Sequence, residues 1–161
     1  MTLTYAQSLD GRIATSSGQS QWISGEQTLR LAHELRRDHD AILVGAGTVI
    51  ADDPRLTCRI EGGRDPHRCV LDSMLRIPPT AHVVAQAGEV ATSVFYDASA
   101  TDPACTQRAS ALTEAGVELV AVPATKRGLD LHAVLEHLRA LGCMSLLVEG
   151  GSAVLTSFYR A

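Results

Sequence analysis

The chain has 161 residues, of which 45% are hydrophobic and 20% are charged, values typical of one globular domain. Its 18 acidic residues outnumber its 14 Lys and Arg residues, giving a formal net charge of −4, which argues against nucleic acid or an anionic membrane as the main partner. No apolar run approaches the roughly 18–20 residues of a membrane span.

Short apolar runs alternate with amphipathic stretches along the chain. Strands are predicted at residues 3–7, 41–45, 67–71, 82–85, 93–96, 117–122 and 145–148. Several of these runs are nearly all apolar, as expected for strands that are covered on both faces.

Helix signals lie between these runs, with predicted starts at Ser24, Asp102, Asp130 and about Ser152. Gln27 follows Ser24 by three residues, which is a capping box for a helix that ends near Asp38. Pro103 suits the first helical position after Asp102, and Gly116 and Gly142 end the second and third helices. The alternation predicts a three-layer α/β fold, with a mostly parallel central sheet and helices on both faces.

The last predicted helix extends for only about two to three turns before Ala161. A helix in that position normally leads the chain to another strand. We therefore expect one domain, residues 1–161, that lacks its C-terminal strands.

The four cysteines are Cys58, Cys69, Cys105 and Cys143. Their scattered positions, with no Cys-x-x-Cys pair and no Cys/His cluster, predict reduced thiols and no metal site. The first residues show no signal-peptide pattern, and we expect a cytoplasmic location. No nucleophile elbow or metal-binding histidine motif supports a hydrolase or a metalloenzyme.

Two glycine turns each follow a predicted strand: residues 45–48 (Gly-Ala-Gly-Thr) and Gly150-Gly151 between Glu149 and Ser152. Glycine lets a backbone approach a ligand closely, and the free amides of a helix N-terminus bind phosphate. Taken alone, each turn is better explained as a tight turn in which glycine is chosen for its backbone angles. Together they suit a ligand with two phosphates, such as a dinucleotide.

Charged and aromatic residues near these turns leave alternatives open. Asp52-Asp53 before Pro54 fits a solvated turn as well as a ribose ligand. Trp22, in a polar segment, fits core packing or a cover over a ring-shaped ligand. Arginine suits the bidentate binding of a phosphate, but basic residues at a helix end are usually solvated; the candidates are Arg36, Arg37, Arg55 and Arg59.

In combination, the segments resemble the reductase domain of riboflavin biosynthesis, the RibD C-terminal family, a branch of the dihydrofolate-reductase-like fold. The matching stretches are residues 6–14, 20–25, 35–36, 40–45, 48–49, 52–54, 56–57, 59, 70–73 and 147–151. Each stretch is short, but their order and spacing agree from the first residues to about residue 160.

The resemblance implies that NADPH reduces the ribosyl group of a ribosylaminopyrimidine 5′-phosphate to a ribityl chain, with no metal. It implies NADPH contacts at Ala6, Trp22, Thr48, Asp52, Ser73, Gly150, Gly151 and Ser152. It implies substrate contacts at Ser20, Arg36, Leu56, Arg59 and Glu149, with the two arginines on the phosphate. Glu149 is the candidate catalytic proton donor, provided that burial favours its protonated form. A homodimer rests on the resemblance alone.

Two departures from the family pattern leave other hypotheses open. Many members have a lysine near the position of Thr4, and this chain lacks the zinc-deaminase signature of the longer relatives. The alternatives are a reductase of another small substrate with the same fold, or a non-catalytic nucleotide-binding fragment.

Overall fold

The computed structural model describes residues 1–13, 15, 25–100 and 102–160. The strands are β1 (Thr2–Thr4), β2 (Ala41–Gly45), β3 (His67–Leu71), β4 (Thr92–Asp97), β5 (Glu118–Val122), β6 (Ala124–Thr125), β7 (Gly128–Leu129) and β8 (Leu146–Glu149). The helices are α1 (Glu26–Asp38), α2 (Ala46–Asp52), α3 (His82–Ala85), α4 (Pro103–Glu114), α5 (Leu131–Ala140) and α6 (Ser152–Tyr159).

Six strands form the central sheet in the order β1-β8-β2-β3-β4-β5, and each neighbouring pair is parallel. Leu43 in β2, for example, lies beside Cys69 of β3 and Val148 of β8. Parallel neighbours need crossover connections, and these connections carry helices over the faces of the sheet. The strands β6 and β7 form a separate antiparallel hairpin.

Alternate residues of the central strands point to opposite faces and build two cores. On one face Ile42 and Val44 pack with buried residues of α2, α3 and α4. On the other face Leu43 and Phe95 pack with buried residues of α5 and α6. The predicted three-layer α/β architecture with a parallel sheet is therefore confirmed.

The strand predicted at residues 82–85 is wrong, because this run forms helix α3. A four-residue apolar run does not distinguish a buried strand from one buried helical turn. Val83 and Val84 are buried while Ala85 is exposed. Because β3 and β4 are parallel neighbours, the chain needs a crossover at this point, and α3 forms part of it.

Two smaller differences concern element ends. The first strand ends at Thr4 instead of residue 7. Helix α1 has Gly25 as its N-cap, without a side-chain cap hydrogen bond, so the predicted capping box is misplaced; Ser24 itself lies outside the described residues. The N-caps Asp102 and Asp130 are confirmed, since both side chains accept backbone N–H groups of the first turn.

None of the helices in the described ranges has the length and apolar character that crossing a membrane requires.

Candidate functional site

Both glycine turns lie at the edge of the sheet where the parallel strands end, the edge at which α/β folds place ligands. Gly150 and Gly151 have φ of 76° and 64°, in the left-handed region. A Cβ atom on either residue would lie 3.4 or 3.3 Å from the side chain of Thr48. The two turns therefore approach each other closely, and the left-handed backbone angles favour glycine at both positions.

A cavity of about 620 Å³, here called the glycine-turn cavity, lies over these turns. It extends from Tyr5 and Ala6, after β1, to Ser73 and Arg76, after β3. Seven of the eight residues predicted to contact the cofactor line it: Ala6, Thr48, Asp52, Ser73, Gly150, Gly151 and Ser152. The eighth, Trp22, lies outside the described residues. The structure thus gathers segments that are far apart in sequence, and their contacts with a cofactor remain predictions.

A second cavity of about 490 Å³, the arginine cavity, lies between α1 and the turn after β8. Four predicted substrate residues line it: Arg36, Leu56, Arg59 and Glu149. The fifth, Ser20, lies outside the described residues. The two cavities adjoin, since Tyr5, Ala6, Thr48, Asp52 and Gly150 line both.

Arg36 and Glu149 form an ion pair at the wall of the arginine cavity. Arg36 Nε donates to Glu149 Oε1 at 2.9 Å, and Arg36 Nη2 donates to Oε2 at 2.6 Å. The side chains are only 13% and 16% exposed, and Arg36 Nη1 also donates to the carbonyl of Thr57 at 3.3 Å. The pair places Glu149 as a hydrogen-bond acceptor, and any proton-donor role would require the pair to open.

Arg59 lies at the same cavity among other positive groups. Burial, followed by the neighbouring charges of Arg36 and Arg55, lowers the pKa of Arg59. Burial and the charges of Arg59 and Arg36 likewise lower the pKa of His33, whose Nδ1 accepts the backbone N–H of Arg59 at 3.2 Å. Crowded positive charges raise the local affinity for an anion, because a bound phosphate relieves their repulsion.

The turn that carries Leu56 holds an unusual backbone conformation. Asp53 and Leu56 have φ of 41° and 55°, and the left-handed region is unfavourable for leucine. The Leu56 side chain is 1% exposed and belongs to the core, so little of it is available to a substrate. The fully buried guanidinium of Arg68 donates to the carbonyl of Arg55 at 3.3 Å, which fixes the turn from below.

Sequence reasoning missed several residues of these cavities. Tyr5 and Arg76 line the glycine-turn cavity but lie in segments without a motif of their own. Arg76 follows Ser73 by three residues, and the end of a predicted strand was the only signal that could have pointed to it. In the described part of the chain, no group of three or more His, Cys, Asp or Glu residues is arranged to hold a metal ion.

Comparisons with known proteins agree with this geometry. Residues 1–161 match the family model of the RibD C-terminal domain. The chain is 44% identical over 155 residues to a 2,5-diamino-6-ribosylamino-4(3H)-pyrimidinone 5′-phosphate reductase of Methanothermobacter thermautotrophicus, covering 94% of this chain and 67% of that one. It is 38% identical over 161 residues to riboflavin biosynthesis protein RibD of Aquifex aeolicus, covering 99% and 42%.

A solved structure shares the fold. The diaminohydroxyphosphoribosylaminopyrimidine deaminase/5-amino-6-(5-phosphoribosylamino)uracil reductase of Thermotoga maritima matches with a TM-score of 0.76 and 34% identity, covering 99% of this chain and 41% of that one. The chain thus spans about two fifths of the length of the Aquifex and Thermotoga proteins.

Proposed function

Because the chain belongs to the family of RibD C-terminal domains, we propose that it is a reductase domain of riboflavin biosynthesis. In this proposal residues 1–161 act as a single domain that reduces the ribosyl group of a ribosylaminopyrimidine 5′-phosphate to a ribityl chain with NADPH. The substrate is 5-amino-6-(5-phosphoribosylamino)uracil or its 2,5-diamino analogue, the two forms for which the reductases of Thermotoga and Methanothermobacter are named.

The observation that carries the proposal is the shared wall between the two cavities. A reductase must hold the reacting carbons of cofactor and substrate in contact, oriented and shielded from water. The glycine-turn cavity and the arginine cavity meet at Ala6, Thr48 and Gly150. Two ligands of different chemistry, one in each cavity, would therefore meet at the carboxyl ends of β1 and β8.

The glycine-turn cavity fits a nicotinamide dinucleotide. Gly150 and Gly151 leave open a space that a Cβ atom would fill beside Thr48, and Gly151 precedes the N-terminus of α6, where backbone amides suit a pyrophosphate. Thr48, Asp52 and Ser152 line the same cavity and would bind the polar groups of the cofactor. When bound, NADPH supplies the hydride that reduces C1′ of the sugar.

The arginine cavity fits a phosphorylated sugar. Arg59 carries a charge crowded by its neighbours, and we propose it as the main ligand of the 5′-phosphate. Arg36 faces Glu149 with two of its three nitrogens, so we propose that Arg36 mainly orients this carboxylate. Glu149 would then accept a hydrogen bond from a substrate N–H or O–H group.

The test is a turnover assay on the 161-residue protein with both pyrimidine substrates. We expect NADPH oxidation that depends on the phosphorylated ribosylaminopyrimidine and that dihydrofolate does not replace. Arg59→Ala should raise KM about 10- to 100-fold through the lost charge-assisted hydrogen bonds. Arg55→Ala is the matched control. The charge of Arg55 is close enough to Arg59 to lower the Arg59 pKa, but Arg55 lines neither cavity. NADPH binding without any turnover would leave a nucleotide-binding fragment as the better description.

The proposal also includes a homodimer and a cytoplasmic location. All four cysteines are free, and Cys69 and Cys105 are buried, as expected for a protein of a reducing compartment. Sedimentation equilibrium of the purified chain checks the dimer directly.

A further inference from the structure

We propose that His33 is a positioning residue for Arg59: its ring Nδ1 holds the backbone of Arg59, and protonation of the ring releases it. His33 would then make substrate binding depend on pH without touching the substrate itself. This inference rests on the proposed function and deepens it, because it concerns the arginine to which we assign the 5′-phosphate.

Helix α1, which carries His33, is joined to residues 57–59 by hydrogen bonds. None of the 13 residues of α1, all of them described, is buried, and Leu35 packs against the core as a partly buried side chain. Residues 57–59 are likewise half-buried or exposed. Cys58 Sγ donates to the carbonyl of His33 at 3.4 Å, and Arg59 N–H donates to His33 Nδ1 at 3.2 Å. The place of Arg59 at the arginine cavity therefore depends on polar contacts with α1.

The contact between His33 and Arg59 needs one protonation state of the ring. Nδ1 accepts a hydrogen bond only when it carries no proton, so the proton of the neutral ring belongs on Nε2. The Arg59 guanidinium donates to Thr57 Oγ1 at 3.4 Å, a long hydrogen bond that a phosphate can replace. Fixing the Arg59 backbone beforehand lowers the entropy that is lost when the arginine binds a ligand.

The charges that face His33 favour this neutral state at pH 7. Burial, followed by the positive charges of Arg59 and Arg36, lowers the pKa of His33 below its usual value of 6.5. The carbonyl of Thr57 and the carboxylate of Glu149, on β8, act in the opposite direction and more weakly. Protonation as the pH falls below 6.5 turns Nδ1 into a donor that faces another donor, and adds a third positive charge beside the two arginines.

The experiment measures kcat and KM of the 161-residue protein for the phosphorylated ribosylaminopyrimidine at saturating NADPH. His33→Leu removes the acceptor and should raise KM about 3- to 10-fold, the effect of one lost hydrogen bond. Its kcat should stay within about twofold, because the phosphate is bound equally in the ground state and the transition state. His33→Asn keeps an acceptor oxygen and should keep KM within about twofold of wild type at about pH 7.5.

The pH profile separates positioning from a structural role. From about pH 7.5 to pH 5.5, KM of the wild type should rise about 3- to 10-fold relative to KM of His33→Asn, which cannot be protonated in this range. Comparing the two proteins at each pH cancels the titration of the substrate phosphate, whose second pKa is about 6. His132→Asn is the matched control, since His132 is 82% exposed and lines neither cavity; its profile should follow the wild type.

A readout that needs no turnover accompanies the kinetics. The backbone amide signal of Arg59, followed by ¹⁵N–¹H NMR between about pH 8 and pH 5, should titrate in the wild type and in His132→Asn but not in His33→Asn. The same spectra show whether each variant is folded.

The other outcomes refute defined parts of the reasoning. Equal increases of KM in His33→Leu and His33→Asn would show that the ring acts through packing and not as an acceptor. An unchanged KM in His33→Leu, or a wild-type profile parallel to that of His33→Asn, overturns the positioning role. A wild type that never turns over substrate, but whose Arg59 amide titrates with His33, refutes the proposed function and leaves the control of Arg59 by His33 intact.

Discussion

Removing the ion pair between Arg36 and Glu149 should cost far more stability than removing an exposed pair of the same helix. The two side chains are 13% and 16% exposed and are joined by hydrogen bonds of 2.9 and 2.6 Å. Arg30 and Glu34 form one contact of 3.1 Å and are 78% and 36% exposed, so they serve as the control pair.

The expected magnitudes differ severalfold. An exposed pair one helical turn apart contributes about 0.3–0.5 kcal/mol. Removing one partner of a fully buried pair costs about 3–5 kcal/mol, because the other charge stays buried. Since Arg36 and Glu149 keep some contact with water, we expect a coupling energy of about 2 kcal/mol between them.

The assay is urea unfolding at neutral pH, followed by circular dichroism. Arg36→Gln, Glu149→Gln and the double variant form a double-mutant cycle that isolates the coupling energy. Arg30→Gln and Glu34→Gln form the control cycle. Added salt should weaken the control coupling more strongly, because exposed charges are screened more than buried ones. A coupling energy for Arg36 and Glu149 no larger than that of the control would refute the claim that burial strengthens this pair.

Three further changes test the architecture. Hydrogen bonds from Arg64, Ser145 and the backbone of Met144 hold the pKa of Asp40 well below its usual range. Ionised Asp40 therefore stabilises the fold above the unfolded-state pKa of about 3.9, and this contribution is lost as the pH falls below that value. In urea titrations, the difference in unfolding free energy between wild type and Asp40→Asn should decrease between about pH 4 and pH 2. Gly45→Ala places a Cβ 2.7 Å from Val154 Cγ2 and should destabilise by about 1–3 kcal/mol, whereas Gly88→Ala, with nothing within 4 Å, should not. Arg68→Met removes the guanidinium that donates to the carbonyls of Arg55, Gln86 and Val90 and should lower the unfolding free energy by about 2–4 kcal/mol. An unchanged urea midpoint would contradict this expectation.

Much of the sheet was predictable, because strands that are buried on both faces consist mostly of apolar residues. The run Ala41–Gly45 is apolar throughout and is buried throughout, as a central parallel strand must be. The caps Asp102 and Asp130 act within three residues of their own position, so local patterns suffice. The strand predicted at residues 82–85 was wrong, because the sequence of one apolar helical turn cannot be distinguished from that of a short buried strand until the neighbouring strands are known.

The resemblance named residues that the structure brings to two adjoining cavities, but the sequence did not indicate how these residues pair. Arg36 and Glu149 are 113 positions apart, and no local pattern indicates that one neutralises the other. The same holds for Arg68, whose fully buried charge is bound to neutral oxygens of two separate segments. Long-range partners of this kind are decided by the strand order, which periodicity does not encode.

The strand order also explains why the two cavities adjoin where they do. Beyond the carboxyl ends of the neighbouring strands β1, β8 and β2 lie Tyr5 and Ala6, the glycines 150 and 151, and Thr48. The two glycines have no side chains that would fill the glycine-turn cavity above the end of β8. Helix α1 places Arg36 at the arginine cavity, which the same turn lines through Gly150. Glu149, the last residue of β8, binds that arginine. A single strand end thus forms the wall of both cavities, so a shift of β8 would change the shapes of both cavities together.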